Sequence, residues 1–211
     1  MVGVPDTLNI KFLNDYYVIR SQKYWKKWLN KNKFKLMKIL NKNKQYFSSL
    51  LTRFYINKKD KSKISQYVKR LKQIWDKKDV VIIEGDKSRL GIGNDLFDNM
   101  NSIQRIICPS QNAFDVYDKI LKKSLKIKKD KLILIALGPT ATILTYDLYK
   151  NGYHVIDVGH IDIEYEWYLR NVSQKIKIKN KYVLEVKKGT QGIREVKDKR
   201  YYSQIIFKIQ K

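Results

Sequence analysis

The chain has 211 residues, a net charge of +25 at pH 7 and an apolar fraction of 43%. That length and apolar content are enough for one α/β domain with a buried core. No apolar stretch is long enough to cross a bilayer and the N-terminus shows no signal-peptide h-region, so we expect neither a membrane-spanning nor a secreted protein. We therefore expect a cytoplasmic protein, in which the single cysteine, Cys108, is a buried thiol.

The charge has two interpretations. A strongly basic chain favours a polyanionic partner, such as nucleic acid, anionic lipid or a phosphorylated substrate. Lysine, asparagine, isoleucine and tyrosine are all abundant, however, as in the product of an AT-rich gene. Lysines lie along the whole chain and arginine, the better bidentate phosphate ligand, is scarce beside them. We favour compositional drift as the origin of the charge. Attraction to the anionic inner face of the membrane would be a by-product, and we expect no nucleic-acid partner.

Residues 16–75 are predicted to be largely helical. In the segment YWKKWLNKNKFKLMKILNKN, apolar residues recur at spacings near three and four, with lysines between them. Such a stripe packs on its own domain or lies on a membrane or partner. A polar break at 57–61 precedes a second amphipathic helix at 62–75. The sequence thus divides into a basic helical segment, residues 1–78, and a core, residues 79–211, which together form one compact domain.

The core predicts an α/β, Rossmann-like, mostly parallel sheet flanked by helices, because strand, loop and helix recur three times. A loop at 88–97 is expected to feed a helix near Asp95, and weak alternation in the tail predicts an added edge strand. The predicted strands are 80–83, 105–108, 132–137 and 155–158, the predicted helices are 112–121 and 141–149, and the tail segments are 175–186 and 205–209.

A phosphate site is predicted where the third strand meets its helix. Gly138, Pro139 and Thr140 follow the apolar run LILIAL directly, so a helix begins at the carboxyl end of a parallel strand. Unpaired N–H groups and the helix dipole favour phosphate there. Asp157 ends the next strand, where an acid can hold ribose hydroxyls. The pattern G-x-G-x-x-G is absent, which argues against NAD.

A metal site is predicted just after that strand. Read as an extended segment, His160, Asp162, Glu164 and Glu166 alternate with apolar residues and share one face. Asp162 and Glu164 would then point at one divalent cation, Mn²⁺ or Mg²⁺, which stabilises a leaving diphosphate. The alternative is a solvated loop or the outer face of a hairpin.

Further polar residues fall at the end of the first core strand. Arg89 is a candidate for neutralising phosphate charge, and Asn94 for contacting the ribose. Glu84 and Asp95, together with Glu166, are candidates for a general base. The alternative is a helix cap at Asn94 or Asp95 with a salt bridge between Arg89 and Glu84.

Several long motifs identify a family. The segments EGDKSRLGIGNDLF, RIICPSQNAFDVYDKIL, LILIALGPTATILTYDL and GYHVIDVGHIDIEYEWYL closely resemble the GT-D-type glycosyltransferases, which modify bacterial serine-rich adhesins and other surface glycans. The resemblance covers about residues 79–182. It implies a Rossmann-like enzyme that moves a hexose, typically glucose, from a UDP-sugar to an acceptor glycan or glycoprotein. The family's Asp-x-Glu metal motif corresponds to Asp162 and Glu164, and its SRLG-GND loop to residues 88–95.

One departure keeps other functions open. Family members usually begin with a stretch that carries an arginine-phenylalanine-glycine-aspartate-glycine-glutamate motif, which nothing in this chain matches. One alternative is therefore a catalytically impaired partner subunit or truncated copy. The charge and the fifteen tyrosines leave a basic nucleic-acid-binding protein as a further alternative. For the enzyme we expect inversion through a single displacement, because no residue stands out as a covalent nucleophile.

Overall fold

A computed structural model describes residues 3–41 and 43–210, and its centre is a five-stranded parallel sheet. The strand order in that sheet is β6-β5-β3-β4-β7, and a separate parallel pair joins β1 to β2. The strands are β1 (Gly3–Val4), β2 (Phe47–Ser48), β3 (Asp79–Gly85), β4 (Ser102–Cys108), β5 (Leu132–Ala136), β6 (His154–Asp157) and β7 (Ile205–Lys208).

The chain has helices on both faces of the five-stranded sheet and further helices in its N-terminal segment. They are α1 (Ile10–Tyr16), α2 (Ile19–Ile39), α3 (Ile64–Lys72), α4 (Tyr117–Ser124), α5 (Pro139–Lys150), α6 (Ile161–Leu169) and α7 (Lys199–Ser203). Short 3₁₀ helices lie at Asp6–Leu8 and Ala113–Val116. The Asn9 side chain accepts a hydrogen bond from the Phe12 amide, which caps the start of α1.

The central strands are apolar throughout because both faces of the sheet are buried. Alternate residues of β3 and β5, such as Val80 and Leu134, pack against α3, α6 and the segment 54–56. The residues between them, such as Val81 and Ile135, pack against α4 and α5. Cys108 lies in this second cluster and is buried as a free thiol. The predicted Rossmann-like fold with a parallel sheet is confirmed.

Several local predictions need correction. The helix expected near Asp95 is replaced by turns, since Gly91 and Gly93 have positive φ angles of 75° and 80°, a backbone that a helix cannot use. Residues 175–186 form no strand within the described chain. The predicted N-terminal helix is interrupted, because α2 is capped at Leu40 and the segment 54–56 enters the core as loop.

The order of the strands in the sheet creates a crevice in which a ligand can bind. From β3 the chain moves to β4 on one side, whereas from β5 it moves to β6 on the other. Because β3 and β5 are neighbours, their following loops separate at the carboxyl end of the sheet. In parallel α/β folds such a switch point is where ligands bind. The loop after β3 and the turn at Gly138 border it.

Candidate functional site

The turn at Gly138 lies at this switch point and is open. Gly138 precedes α5 with φ 54° and ψ −142°, a backbone conformation that is essentially restricted to glycine. Around the position of a Cβ added to Gly138, no heavy atom beyond its chain neighbours lies within 4 Å. Pro139 occupies the first turn of α5, and the Thr140 side chain turns inward and is buried. The amide groups of this first turn can therefore approach an anion.

Asp157 is tied to the start of α5. One carboxylate oxygen accepts a hydrogen bond from the Thr142 hydroxyl at 3.2 Å, and the other accepts one from the Gly159 amide at 3.0 Å. Burial raises the pKa of Asp157, while these two hydrogen bonds oppose the rise. The acid that the sequence assigned to the ribose thus lies beside the predicted phosphate turn.

A group of charged side chains continues from Asp157 along the same edge. Arg53 and Lys175 both pair with Glu185, at 2.5 Å and 2.9 Å. The hydroxyl of Thr52 lies 3.4 Å from the position that a Cβ on Gly159 would take, so the 52–53 segment adjoins the end of β6. We call Arg53, Asp157, His160, Lys175 and Glu185 the edge cluster.

The surroundings of His160 and Glu185 in the edge cluster determine the charge of each side chain. Burial, followed by the positive charge of Arg53, lowers the pKa of His160 to about 4, so its imidazole is neutral at pH 7. Desolvation would raise the pKa of Glu185, but the Arg53 guanidinium and the Lys175 ammonium hold it below its usual value. The cluster therefore presents a neutral histidine and an ion-paired carboxylate.

The prediction that four polar residues share one face of a strand is wrong. His160 precedes α6 as its N-cap, and Asp162, Glu164 and Glu166 lie within this helix. Residues two apart in a helix point about 200° apart. Every residue of α6 from Ile161 to Trp167 is buried, whatever its polarity. In a helix that is buried on all sides, apolar and acidic residues can alternate without indicating a strand.

Asp162 faces the loop that follows β3. One of its oxygens accepts hydrogen bonds from the Gly91 amide at 2.8 Å and the Asn94 side chain at 2.9 Å. Its other oxygen pairs with Lys181 at 2.7 Å, and only 3% of Asp162 is exposed. Asp162 therefore fixes this loop against α6.

Glu166 joins the same network one turn further along α6. It accepts a hydrogen bond from Asn94 at 2.7 Å and pairs with Lys181 at 2.9 Å, and also with Arg170. Desolvation opposes ionisation, but Lys181 and these hydrogen bonds lower the pKa of Glu166. Both carboxylates are thus compensated by buried cations and amides.

Glu164 faces the opposite way. One of its oxygens accepts hydrogen bonds from the amides of Tyr55 and Ile56, each at 2.9 Å. Its other oxygen is buried and finds no hydrogen-bond partner among the described residues. Burial raises the pKa of Glu164 against the effect of the two amides. Glu164 therefore anchors the segment that carries Arg53 to the edge cluster.

Asp162 and Glu164 do not fit a shared divalent-ion site in this arrangement. Their carboxylates serve separate loops, and the oxygens of Asp162 already contact an ammonium and two N–H donors. Within residues 3–41 and 43–210, no three histidine, cysteine, aspartate or glutamate side chains are grouped to hold a metal ion. Because Asp162 and Glu164 lie two residues apart in a helix, their side chains do not share the single face on which the metal prediction rested.

The remaining predicted residues lie in the packed interior or its margin. Glu84 is fully buried, pairs with Arg105 at 2.5 Å and accepts from the Leu90 amide at 2.7 Å. The salt bridge expected between Glu84 and Arg89 is therefore replaced by one with Arg105. Arg89 donates to the backbone carbonyls of Asn180 and Arg194.

Asp95 and Asn94 also have other contacts than those predicted. Asp95 pairs with Lys72 at 2.6 Å and accepts from the Tyr165 hydroxyl at 2.6 Å. The Asn94 side-chain oxygen accepts from the Leu96 amide, and its NH₂ group bonds Asp162 and Glu166. Asn94 is thus part of the loop contact with α6, and the helix cap expected at Asn94 or Asp95 has no helix to serve.

The sequence did not predict Arg53, Lys175 and Glu185, which the fold brings to the candidate site. Arg53 lies in the segment TRFY, whereas Lys175 and Glu185 lie near the two ends of the tail segment 175–186, which was predicted as an edge strand. No local spacing connects these residues, because only the tertiary fold brings the 52–53 segment to the tail. The end of a parallel strand at Asp157 was the one signal that pointed to this edge.

Sequence comparison relates this chain to known glycosyltransferases. The family described as glycosyltransferase GT-D fold matches residues 1–186. A probable glycosyl transferase, Gly, of Streptococcus gordonii is 42% identical over 190 residues, which are 90% of this chain and 28% of that protein. Glycosyltransferase GlyD of Streptococcus pneumoniae serotype 4 is 39% identical over 209 residues, 99% of this chain and 25% of that protein.

Solved structures agree with the fold. A structure of the domain of unknown function 1792, described as having a distinct glycosyltransferase fold, has a TM-score of 0.92 at 38% identity and covers 100% of this chain and 74% of that one. A glycosyltransferase from Streptococcus sanguinis has a TM-score of 0.93 at 40% identity and covers 100% of this chain and 77% of that one.

The parallel sheet and its helices thus have the architecture of an α/β glycosyltransferase fold. This chain belongs to the GT-D family of glycosyltransferases. It spans only about a quarter of the length of the curated relatives it matches.

Proposed function

We propose that this chain transfers a hexose, with glucose as the first candidate, from a UDP-sugar to an acceptor glycan or glycoprotein. The observation that carries the proposal is the open turn at Gly138, which lies beside Asp157 and the edge cluster at the switch point of the sheet. The printed names of the relatives, which call them glycosyltransferases, support the reaction class. The identities of the donor sugar nucleotide and of the acceptor are proposed here with the reaction.

The nucleotide is assigned to the carboxyl ends of β5 and β6. The diphosphate would lie over Gly138, where backbone amides and the dipole of α5 favour negative charge. Asp157 would accept a hydrogen bond from a ribose hydroxyl. Arg53 and Lys175 would neutralise charge that develops on the leaving diphosphate, the role that the sequence had given to Arg89.

The acceptor reacts by a single displacement in this proposal. Its hydroxyl oxygen bonds to the anomeric carbon of the sugar as the bond from that carbon to the diphosphate oxygen breaks. The hydroxyl proton passes to a carboxylate, for which we propose Glu185 because it is ionised and lies in the edge cluster. Glu84 and Glu166 are buried beside their cations, whereas 23% of the Glu185 side chain is exposed and can meet an acceptor.

A divalent ion stays a prediction from the family resemblance. When bound, Mn²⁺ or Mg²⁺ supplies charge neutralisation for a diphosphate leaving group. Since the carboxylates of Asp162 and Glu164 diverge, we assign no step to an ion held between them.

Nucleotide binding tests the proposal directly. UDP-glucose is titrated calorimetrically into the wild type, Arg53→Gln and the control Arg70→Gln, with and without Mn²⁺. Arg70 is exposed in the last turn of α3, so its substitution makes the same charge change outside the edge cluster. We expect at least tenfold weaker binding for Arg53→Gln and no change for Arg70→Gln.

Two outcomes would contradict the proposal. No UDP-glucose binding with or without Mn²⁺, together with tight oligonucleotide binding, would favour a nucleic-acid-binding protein. Nucleotide binding without transfer from a panel of radiolabelled UDP-sugars would indicate the catalytically impaired copy instead.

A further inference from the structure

Helix α2 is long and poorly covered. Of its 21 residues, only Ser21 and Leu29 are buried. Beyond Leu29 the helix has no buried residue, and Phe34 and Ile39 are 81% and 80% exposed. Its second half therefore projects from the domain and offers large apolar side chains to its surroundings.

The positive charge of the chain is concentrated around this helix. Residues 16–59 contain 13 lysines and arginines and no aspartate or glutamate, so about half of the net charge comes from about a fifth of the chain. Eight of these basic residues lie in α2. The even spread of lysine along the sequence hides this imbalance, because all 20 acidic residues lie outside residues 16–59. Compositional drift alone does not predict a segment that lacks acids.

We propose that α2 is a docking surface for an anionic membrane. Lys31, Lys35 and Lys38 would attract acidic lipid headgroups, while Phe34 and Ile39 would enter the boundary between headgroups and acyl chains. Lysine side chains are long enough to lie along an apolar surface and keep their ammonium groups among the phosphates. Either signal alone binds weakly, whereas the two together give stable association.

The membrane accounts for the surface better than other partners. A second copy of the chain is disfavoured, because two bodies with a charge of +25 repel each other. Nucleic acid would use the lysines but would leave the exposed Phe34 and Ile39 in water. No helix within residues 3–41 and 43–210 is long and apolar enough to cross a bilayer, so contact through α2 would be peripheral.

Vesicle flotation tests this surface. The full chain is mixed with phosphatidylcholine vesicles that contain either no or about 30% phosphatidylglycerol, at about 0.1 M and about 0.5 M salt. We expect binding only to the anionic vesicles, and weaker binding at high salt. A blue shift in tryptophan fluorescence should accompany it, since Trp25 and Trp28 lie in α2.

Matched variants locate the contact. The triple variant Lys31→Gln, Lys35→Gln, Lys38→Gln and the double variant Phe34→Ser, Ile39→Ser should each bind anionic vesicles at least tenfold more weakly. These side chains are exposed, so circular dichroism should show an unchanged fold. The control carries the same loss of charge on the exposed residues Lys122, Lys126 and Lys128 and should keep most of the binding.

Each alternative result overturns the inference. Equal loss in the control variant would show a general charge effect without a docking surface on α2. Binding to oligonucleotides that competes with vesicles and persists in the Phe34→Ser, Ile39→Ser variant would identify a nucleic-acid surface. Dimerisation through α2 without vesicle binding would identify a second copy as the partner.

Discussion

The carboxylates of Asp162 and Glu164 lie on opposite sides of α6 and hold two different loops. Asp162 bonds the loop after β3 through Gly91 and Asn94, whereas Glu164 bonds the segment that contains Arg53 through the amides of Tyr55 and Ile56. One helix thus positions the β3 loop and the edge cluster together. This relationship gives the acids a positioning role and leads to the first three predictions.

Removal of the Glu164 carboxylate should release the 52–56 segment. In Glu164→Ala, two buried amides lose their acceptor, which we expect to cost about 2–4 kcal/mol of unfolding free energy. Glu164→Gln keeps an acceptor oxygen and should cost less than about 1 kcal/mol. Urea unfolding measures both, and hydrogen exchange at Tyr55 and Ile56 should be faster only in Glu164→Ala. The exposed Glu195→Ala is the control, and equal stability of all three variants would contradict the anchor.

Manganese affinity should be insensitive to the two acids separately. Because the carboxylates diverge, Asp162→Asn and Glu164→Gln should each bind Mn²⁺ within about threefold of the wild type, as measured by electron paramagnetic resonance without donor sugar. Circular dichroism checks that both variants are folded. A loss of more than tenfold in both folded variants would restore the shared ion site predicted from the sequence.

Lys181 should be the most sensitive position in the network. Lys181→Met leaves Asp162 and Glu166 buried without their shared ammonium, and we expect a loss of about 3–5 kcal/mol. Addition of Asp162→Asn should recover part of that loss, because one uncompensated charge is removed. Chemical denaturation of the two single variants and the double variant gives the coupling energy. Strict additivity would rule out the network.

Alanine at Gly138 should weaken nucleotide binding more than it destabilises the fold. A Cβ there meets nothing within 4 Å, so only the positive φ of 54° opposes it, at about 1–3 kcal/mol. The same methyl group would occupy space over the phosphate turn, and we expect UDP affinity to fall at least tenfold. Gly93→Ala is a matched control, because Gly93 has φ 80° and equally open surroundings. Similar UDP affinities in both variants would place the phosphate elsewhere.

His160 should make stability fall in mild acid. Its folded pKa of about 4 lies below the ordinary imidazole value of 6.5, so the unfolded chain binds more protons between these values. Stability therefore decreases as pH falls from about 6.5 to 4, by about 3 kcal/mol from this residue. His160→Asn should flatten the slope of unfolding free energy in that window. NMR titration in His154→Asn follows the remaining imidazole, and a pKa near 6.5 would refute the burial argument.

The sequence alone predicted the order of the core elements and two residues of the candidate site, Gly138 and Asp157. The apolar runs of β3 and β5 predicted a parallel sheet, because strands buried on both faces need continuous apolar residues. Gly138 and Asp157 were predicted together for a related reason. Both follow parallel strands, and the carboxyl ends of such strands meet at one edge whatever the rest of the fold does.

The tertiary structure decided how the acids of α6 point and which cations they meet. Their alternation suggested a strand, but a helix buried on all sides accepts acids wherever a distant amide or ammonium can compensate them. Those partners, Lys181 and the amides at Tyr55 and Ile56, lie in remote segments. The pairing of Arg53 with Glu185 has the same origin. Local sequence carries periodicity and turn chemistry, whereas contacts between segments far apart in the chain exist only once the sheet has formed.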